Sequence, residues 1–447
     1  MLFRSMEPVF SLEDEYTGEK IGSKLERIRE VMKENGCNAH VLSSLDDIAW
    51  LLNIRGNDIA YCPLVLSYAI VYNNSVELFA DIRKFSDDII NLLAENQVKI
   101  YPYEDIYRKV SEMTSEDKLL LDSAIMNYSL YQAISKETVI VDKQNPEILM
   151  KSVKNETQAE NLRKAHLKDA VAHTKFMYWL KKNIGRVEIT ELSASARLEG
   201  LRAEQEHFLG PSFGPISAYG EHGAIVHYSA DEKSNVPLKE GKLFMTDTGG
   251  HYLEGSTDIT RTVALGEVGN IEKEHFTLVA RAMLRLANTV FLYGCSGANL
   301  DCIAREVFWK EGLNFNHGTG HGVGYLLNIH EGPINFRWKE GERPAPALEE
   351  NMVITDEPGI YIEGSHGIRL ENELLVRKTV KNEYGQFMNF EILTYVPIDL
   401  DAILPEKMST EEKEMLNHYH KQVYEKVSPY LSEEERIWLK EYTRAVK

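Results

Sequence analysis

Five side chains from three separate stretches have the types and spacing of a single metal centre. Asp247 and Asp258 lie in MTDTGGHYLEGSTDITRT, His321 in NHGTGHGVGYLLNIHEGP, and Glu357 and Glu371 in TDEPGIYIEGSHGIRLEN. Four carboxylates and one imidazole make an oxygen-rich donor set, suited to hard or borderline divalent ions such as Mn²⁺ and Mg²⁺. The spacing is more telling than the types. Asp247 and Asp258 flank a glycine-containing turn between two β-rich runs, the pattern of an antiparallel hairpin. With the tip between Tyr252 and Leu253, the two aspartates are expected directly opposite each other, their Cβ atoms roughly 5 Å apart. Glu357 and Glu371 are symmetric about Gly364 in a second hairpin, whose tip reads EGSH. Opposed like charges destabilise a hairpin, so two such pairs need cations between them. Two ions about 3.5–4 Å apart, bridged by carboxylates, meet that need and point to a two-metal hydrolase.

Histidines surround these hairpins. The run HGTGHGVG sets its histidines among glycines, which makes a shaped loop and not the helix of an HExxH zinc motif. His321 is assigned as the ligand and His317 as a residue of the pocket wall, although a purely structural role for His317 stays equally open. His330, in HEGP, is a candidate to hydrogen-bond a tetrahedral intermediate, and His227, in GAIVHYS, to reach the substrate carbonyl. Arg369 precedes Glu371 by two residues, so in a strand both face the same way. Its cation would orient the bridging carboxylate and hold it ionised. Glu373 shares that parity but is expected to lie beyond the metals. His251 and His366, at the hairpin tips, are expected to face solvent, as are His418 and His420 in the tail.

The scaffold that must position these groups is long, at 447 residues, and two or three domains are expected. A content of 43% hydrophobic and 27% charged residues is that of a globular protein. A formal net charge of −19 argues against nucleic-acid binding, which needs a basic face. The four cysteines form no CxxC, so neither a disulfide framework nor a thiolate zinc site is expected. No run of about 18 apolar residues and no cleavable leader are evident, so the expected location is cytoplasmic, with no membrane partner.

Helix and strand signals alternate over residues 1–150, which reads as a small α/β domain. Residues 151–397 open with long helices near 156–182 and 190–205, then turn to glycine-rich strands interrupted by a helix pair over 272–293 and 300–311. That succession is an α+β fold. Residues 398–447 read as two helices with capping boxes at Ser409/Glu412 and Ser432/Glu435. Leu416, Tyr419, Val423 and Val427 give the first of them an apolar stripe.

At the paired aspartates, HGTGHGVG with HEGP downstream, DEPG and GIRLEN, the chain resembles the pita-bread metallopeptidases, and within them the aminopeptidase P (Xaa-Pro aminopeptidase) group. The resemblance implies a pita-bread (creatinase/aminopeptidase-like) catalytic domain behind a creatinase-N-like α/β domain. It also implies two divalent ions, most commonly Mn²⁺ with Zn²⁺ or Co²⁺ as alternatives, held by Asp247, Asp258, His321, Glu357 and Glu371. His227, His317 and His330 would line the substrate pocket, and Arg369 would support the site. The C-terminal helices resemble the extension of the large three-domain subclass, whose first domain has no counterpart here. The expected activity releases the N-terminal residue from peptides with proline in the second position, through a metal-bridged hydroxide. His227, His330 and Glu357 would be the catalytic groups, with Glu357 passing the proton, and a homodimer is expected. A prolidase acting only on Xaa-Pro dipeptides is the alternative; a non-catalytic peptide-binding protein ranks below it. Methionine aminopeptidases normally have no α/β domain in front, and creatinase-like hydrolases lack the metal ligands.

Overall fold

Short apolar runs between amphipathic helices dictate the first of two units, Met1–Gln158, in a computed structural model that describes residues 5–339, 341 and 343–447. Ile21, Leu25, Ile28 and Met32 recur at helical spacing in the helix Ile21–Glu34 and all are buried. The Asn73-Asn74 pair joins strands Tyr68–Tyr72 and Val76–Phe79 as an antiparallel hairpin. These belong to a six-stranded mixed sheet, in which Val98–Tyr101, Lys118–Leu121 and Val139–Asp142 are added in parallel register. The edge strand Val98–Tyr101 and helix Asp105–Ser111 were not expected, because runs of four and seven residues leave too little periodicity to read.

The second unit is Ala159–Lys447. Its long helix, Glu156–Asn183, starts just before the division between the units, and a second helix, Glu191–Ala203, opens with a Thr190/Ser193 capping box. A three-stranded antiparallel sheet follows, with Lys242–Thr248 between Ile216–Tyr219 and Ile259–Leu265. A six-stranded sheet then runs in the order Phe291–Leu292, Gly385–Ile392, Asn372–Asn382, Val353–Asp356, Gly320–Gly322, Glu331–Phe336. The separate hairpin Gly359–Ile362/His366–Arg369 completes the strands around the site. Helix Asn270–Ala287 is shorter than its expected end at Tyr293: it is capped at Asn288, and Phe291–Leu292 pairs with Phe387 and Met388 instead. The β-branched Thr289 and Val290 favour that extended exit.

Both tail helices, Thr410–Val427 and Glu433–Tyr442, carry their expected capping boxes. His420 departs from expectation. It is fully buried, and its Nε2 accepts from the Ile398 N–H at 3.0 Å. Its position beside Leu416 and Val423 at helical spacing turns it inward with the apolar stripe. Among the described residues, no helix is long and apolar enough to cross a membrane.

Candidate metal centre

The two acidic hairpins form, but with different registers. In the first, Asp247 pairs with Thr260 and not with Asp258, because the tip lies between Leu253 and Glu254, one position later than expected. Gly255, at φ 135°, takes the conformation after the tip that other residues reach poorly. The resulting slip is two residues, so Asp258 keeps its face of the pleat and stands diagonal to Asp247. The second hairpin follows its expected symmetry: Gly359 pairs with Arg369 and Ile360 with Ile368, a register that sets Glu357 opposite Glu371.

His321 comes from the short strand Gly320–Gly322. A Cβ on Gly320 would lie 1.8 Å from the Thr355 carbonyl, so glycine is required for the strands to meet here. The His321 Nδ1–H donates to the Gly322 carbonyl at 2.9 Å, which leaves Nε2 as the free lone pair. That Nε2 lies 3.5 Å from Asp258 Oδ2 and 3.8 Å from Glu357 Oε1. Asp258, His321 and Glu371 each offer a ligand atom, all within 4.8 Å of one another.

The electrostatics favour a cation. Burial pushes the Asp258 carboxyl well above the usual range, and Asp247 and Glu357 push it further. Glu371 is likewise raised, by burial and then by Asp258 and Glu357. Buried carboxylates that raise one another call for a positive charge among them. Asp247 Oδ1 is buried with no hydrogen-bond partner, while Oδ2 accepts from Arg369 Nη2. The donor set and this orphaned oxygen fit divalent ions.

Around the carboxylates, a hydroxyl and a backbone carbonyl hold Glu371 and Glu357. Thr260 Oγ1 donates to Glu371 Oε2 at 2.8 Å, and the Glu357 N–H donates to the Thr319 carbonyl at 2.8 Å. The His330 ring lies tilted, its centre 4.3 Å from that of His321; desolvation and the neighbouring His321 lower its pKa to about 4. His227 is exposed in the loop behind Gly220–Ala224, close enough for its charge to bear on both His317 and His330. His317 is held at about 4 by burial and then by Arg369.

Sequence reasoning missed Tyr361, whose hydroxyl meets both His317 Nε2 at 2.9 Å and Arg369 Nη1 at 2.7 Å. Two residues after Gly359, its place in the hairpin was the only available signal. Glu373, expected to lie beyond the metals, accepts from the Asp258 N–H at 2.6 Å and lies 3.1 Å from His166 Nε2. Its shared parity with Arg369 and Glu371 was the clue. His251 and His366 are buried rather than solvent-facing. His251 Nδ1 lies 2.8 Å from Ser256 Oγ, and His366 Nε2 lies 2.9 Å from His275 Nδ1, because these hairpin tips fold back onto protein.

A creatinase-type α/β unit, followed by pita-bread strands that gather acidic side chains around one imidazole, defines a metallopeptidase. Residues 160–378 match metallopeptidase family M24, residues 3–158 the creatinase/prolidase N-terminal domain, and residues 386–446 the C-terminal region of peptidase M24. The chain belongs to family M24. It is 36% identical to Xaa-Pro aminopeptidase 1 of Dictyostelium discoideum, over 95% of this chain and 68% of that protein. Identity to aminopeptidase P1 of Arabidopsis thaliana is 34%, over 99% and 76% respectively. In three dimensions it is similar to an X-prolyl aminopeptidase from Caenorhabditis elegans, described as a cytosolic enzyme with a di-nuclear active site. The TM-score there is 0.92 at 34% identity, over 98% of this chain and 73% of that one. An Xaa-Pro dipeptidase from Bacillus anthracis aligns at a TM-score of 0.67 and 25% identity, over 85% and 99%.

Proposed function

We propose that this protein is a dinuclear metallo-aminopeptidase that releases the N-terminal residue from peptides with proline in the second position. The observation that carries this reading is the convergence of Asp258, His321 and Glu371 within 4.8 Å, in a chain whose relatives are Xaa-Pro aminopeptidases by name. Asp247, Asp258, His321, Glu357 and Glu371 would hold two divalent ions, Mn²⁺ being the choice that the oxygen-rich donors favour. Ions bound there would lower the pKa of a water and polarise the scissile carbonyl.

The chain's own groups do the rest. Arg369 fixes Asp247, and Thr260 fixes one oxygen of Glu371. Glu357, its carboxyl raised chiefly by burial, would take a proton on Oε2 and deliver it to the leaving proline nitrogen. His330, neutral at physiological pH, would donate a hydrogen bond to the oxyanion. His227 would hold the carbonyl on the proline side, and His317 would form the pocket wall behind it. A cytoplasmic homodimer, with residues 1–150, 151–397 and 398–447 as its domains, completes the reading.

The prolidase reading rests on the likeness to the B. anthracis dipeptidase, but that likeness is weaker in identity and in TM-score. Incubating the Mn²⁺-loaded protein with Xaa-Pro peptides of two, three and five residues separates the two. Release of the first residue from the longer peptides is expected. Cleavage of the dipeptide alone would establish the prolidase instead, and no cleavage by a metal-loaded protein would remove the enzyme reading.

A further inference from the structure

Arg261 is fully buried on the strand Ile259–Leu265, yet among the described residues no carboxylate lies within ion-pair distance of it. Its guanidinium is instead spent on neutral acceptors. Nη1 donates to the Thr260 carbonyl at 2.8 Å and to the Glu371 carbonyl at 2.5 Å. Nη2 donates to Asn372 Oδ1 at 2.8 Å, the Val396 carbonyl at 2.8 Å and the Tyr419 hydroxyl at 2.7 Å. The planar fork therefore clasps the strand after Asp258 to the segment carrying Glu371, where the Glu371 N–H already donates to the Thr260 carbonyl at 3.1 Å.

Tyr419 closes this clasp from the helix Thr410–Val427. Its hydroxyl donates to the Val396 carbonyl at 2.6 Å and so turns its lone pairs toward Arg261. Holding a phenol at this point takes more than an apolar stripe. Leu416, Val423 and Val427 would dock the helix without it, whereas a buried hydroxyl is costly unless every partner is met. The geometry points to a role for this helix beyond covering the core. We propose that Tyr419 is a positioning residue for Glu371, acting through Arg261, so that the C-terminal helix sets the geometry of the metal centre.

Groups bonded directly to a ligand typically change metal affinity by about 10–100-fold, and Tyr419, one step further out through Arg261, is expected at the lower end of that range. The proposal rests on the ligand assignment above, and the test separates the two. Tyr419→Phe and Val423→Ala are prepared in the full chain and stripped of metal. Their unfolding midpoints, Mn²⁺ affinities by calorimetry and Co²⁺ absorption spectra are then compared with the unaltered protein. Val423 is fully buried on the same helix and serves as the control for general loss of packing. Tyr419→Phe is expected to weaken at least one ion about tenfold and to shift the Co²⁺ bands, while Val423→Ala keeps both affinities despite lower stability. Unaltered ion binding in Tyr419→Phe, equal weakening in Val423→Ala, or failure of Tyr419→Phe to fold would overturn the proposal. Unaltered protein that takes up no ions would overturn the ligand assignment, and the proposal with it.

Discussion

The Tyr361 hydroxyl lies 2.9 Å from His317 Nε2 and donates to it. The direction follows from the other ring nitrogen, whose N–H donates to the Gly318 carbonyl at 2.7 Å. The same hydroxyl accepts from Arg369, which in turn holds Asp247. One phenol thus joins His317 to the arginine that holds Asp247. Tyr361→Phe would leave both partners short of a bond, and hydrogen bonds to charged groups contribute about 1.5–3 kcal/mol. A fall in kcat/KM of roughly 10–100-fold on an Xaa-Pro-Xaa peptide is expected, with metal content unchanged. Loss of bound metal with the activity would instead place Tyr361 among the supports of the ions alone.

Carboxylates crowded for a cation repel one another in protein stripped of metal. Asp258→Asn and Glu371→Gln should each raise the unfolding temperature of the metal-free protein by about 1–2 °C, the shift that about 1–2 kcal/mol of relieved repulsion produces in a chain of this size. The same variants should bind fewer than two ions per chain and lose hydrolysis of the tripeptide. Scanning calorimetry beside elemental analysis checks both halves. A metal-free variant less stable than its parent would contradict the repulsion argument.

The raised carboxyls also fix the sign of the pH dependence. Asp258 and Glu371 have folded-state pKa values above those of the unfolded chain. The folded, metal-free protein therefore binds more protons than the unfolded one between those values. The stability these groups contribute is fully present below the ordinary carboxylate range and is lost as pH rises through the folded-state values. Ion binding must displace those protons. Calorimetric titration with Mn²⁺ in buffers of different ionisation enthalpy should report net proton release that shrinks as pH rises, and proton uptake would refute it.

Gly367 allows the second hairpin to touch the loop that leads to His227. A Cβ at this position would lie 1.6 Å from the Gly223 carbonyl, a backbone atom that cannot swing aside. Gly367→Ala is expected to cost about 1–3 kcal/mol in denaturant unfolding, and to raise KM more than it changes metal content. Unchanged stability would show that the contact yields freely.

How much could be read in advance depended on whether a spacing alone determined the geometry. Glu357 and Glu371 fell into place because a short tip around Gly364 leaves one register. Asp247 and Asp258 did not, because Gly249, Gly250 and Gly255 offer several tips and only packing selects among them. Even so, parity survived. The histidines divided differently: His321 lies with Asp258 and Glu371 where its glycine-rich run suggested, whereas His366 and His420 were taken for surface residues. Their burial depends on partners distant in sequence, His275 and Ile398. Tyr361 escaped for the same reason, since it matters only through what it touches across the fold.

The Gly322 carbonyl settles which nitrogen His321 presents before any ion arrives. A cation bound by His321 would therefore find its nitrogen donor already chosen and aimed, and replacing one divalent ion by another would demand no proton shift on the ring. Discrimination among metals is left to the carboxylates and to whichever ion the surroundings supply. Such a centre would be reloaded without rearranging its imidazole.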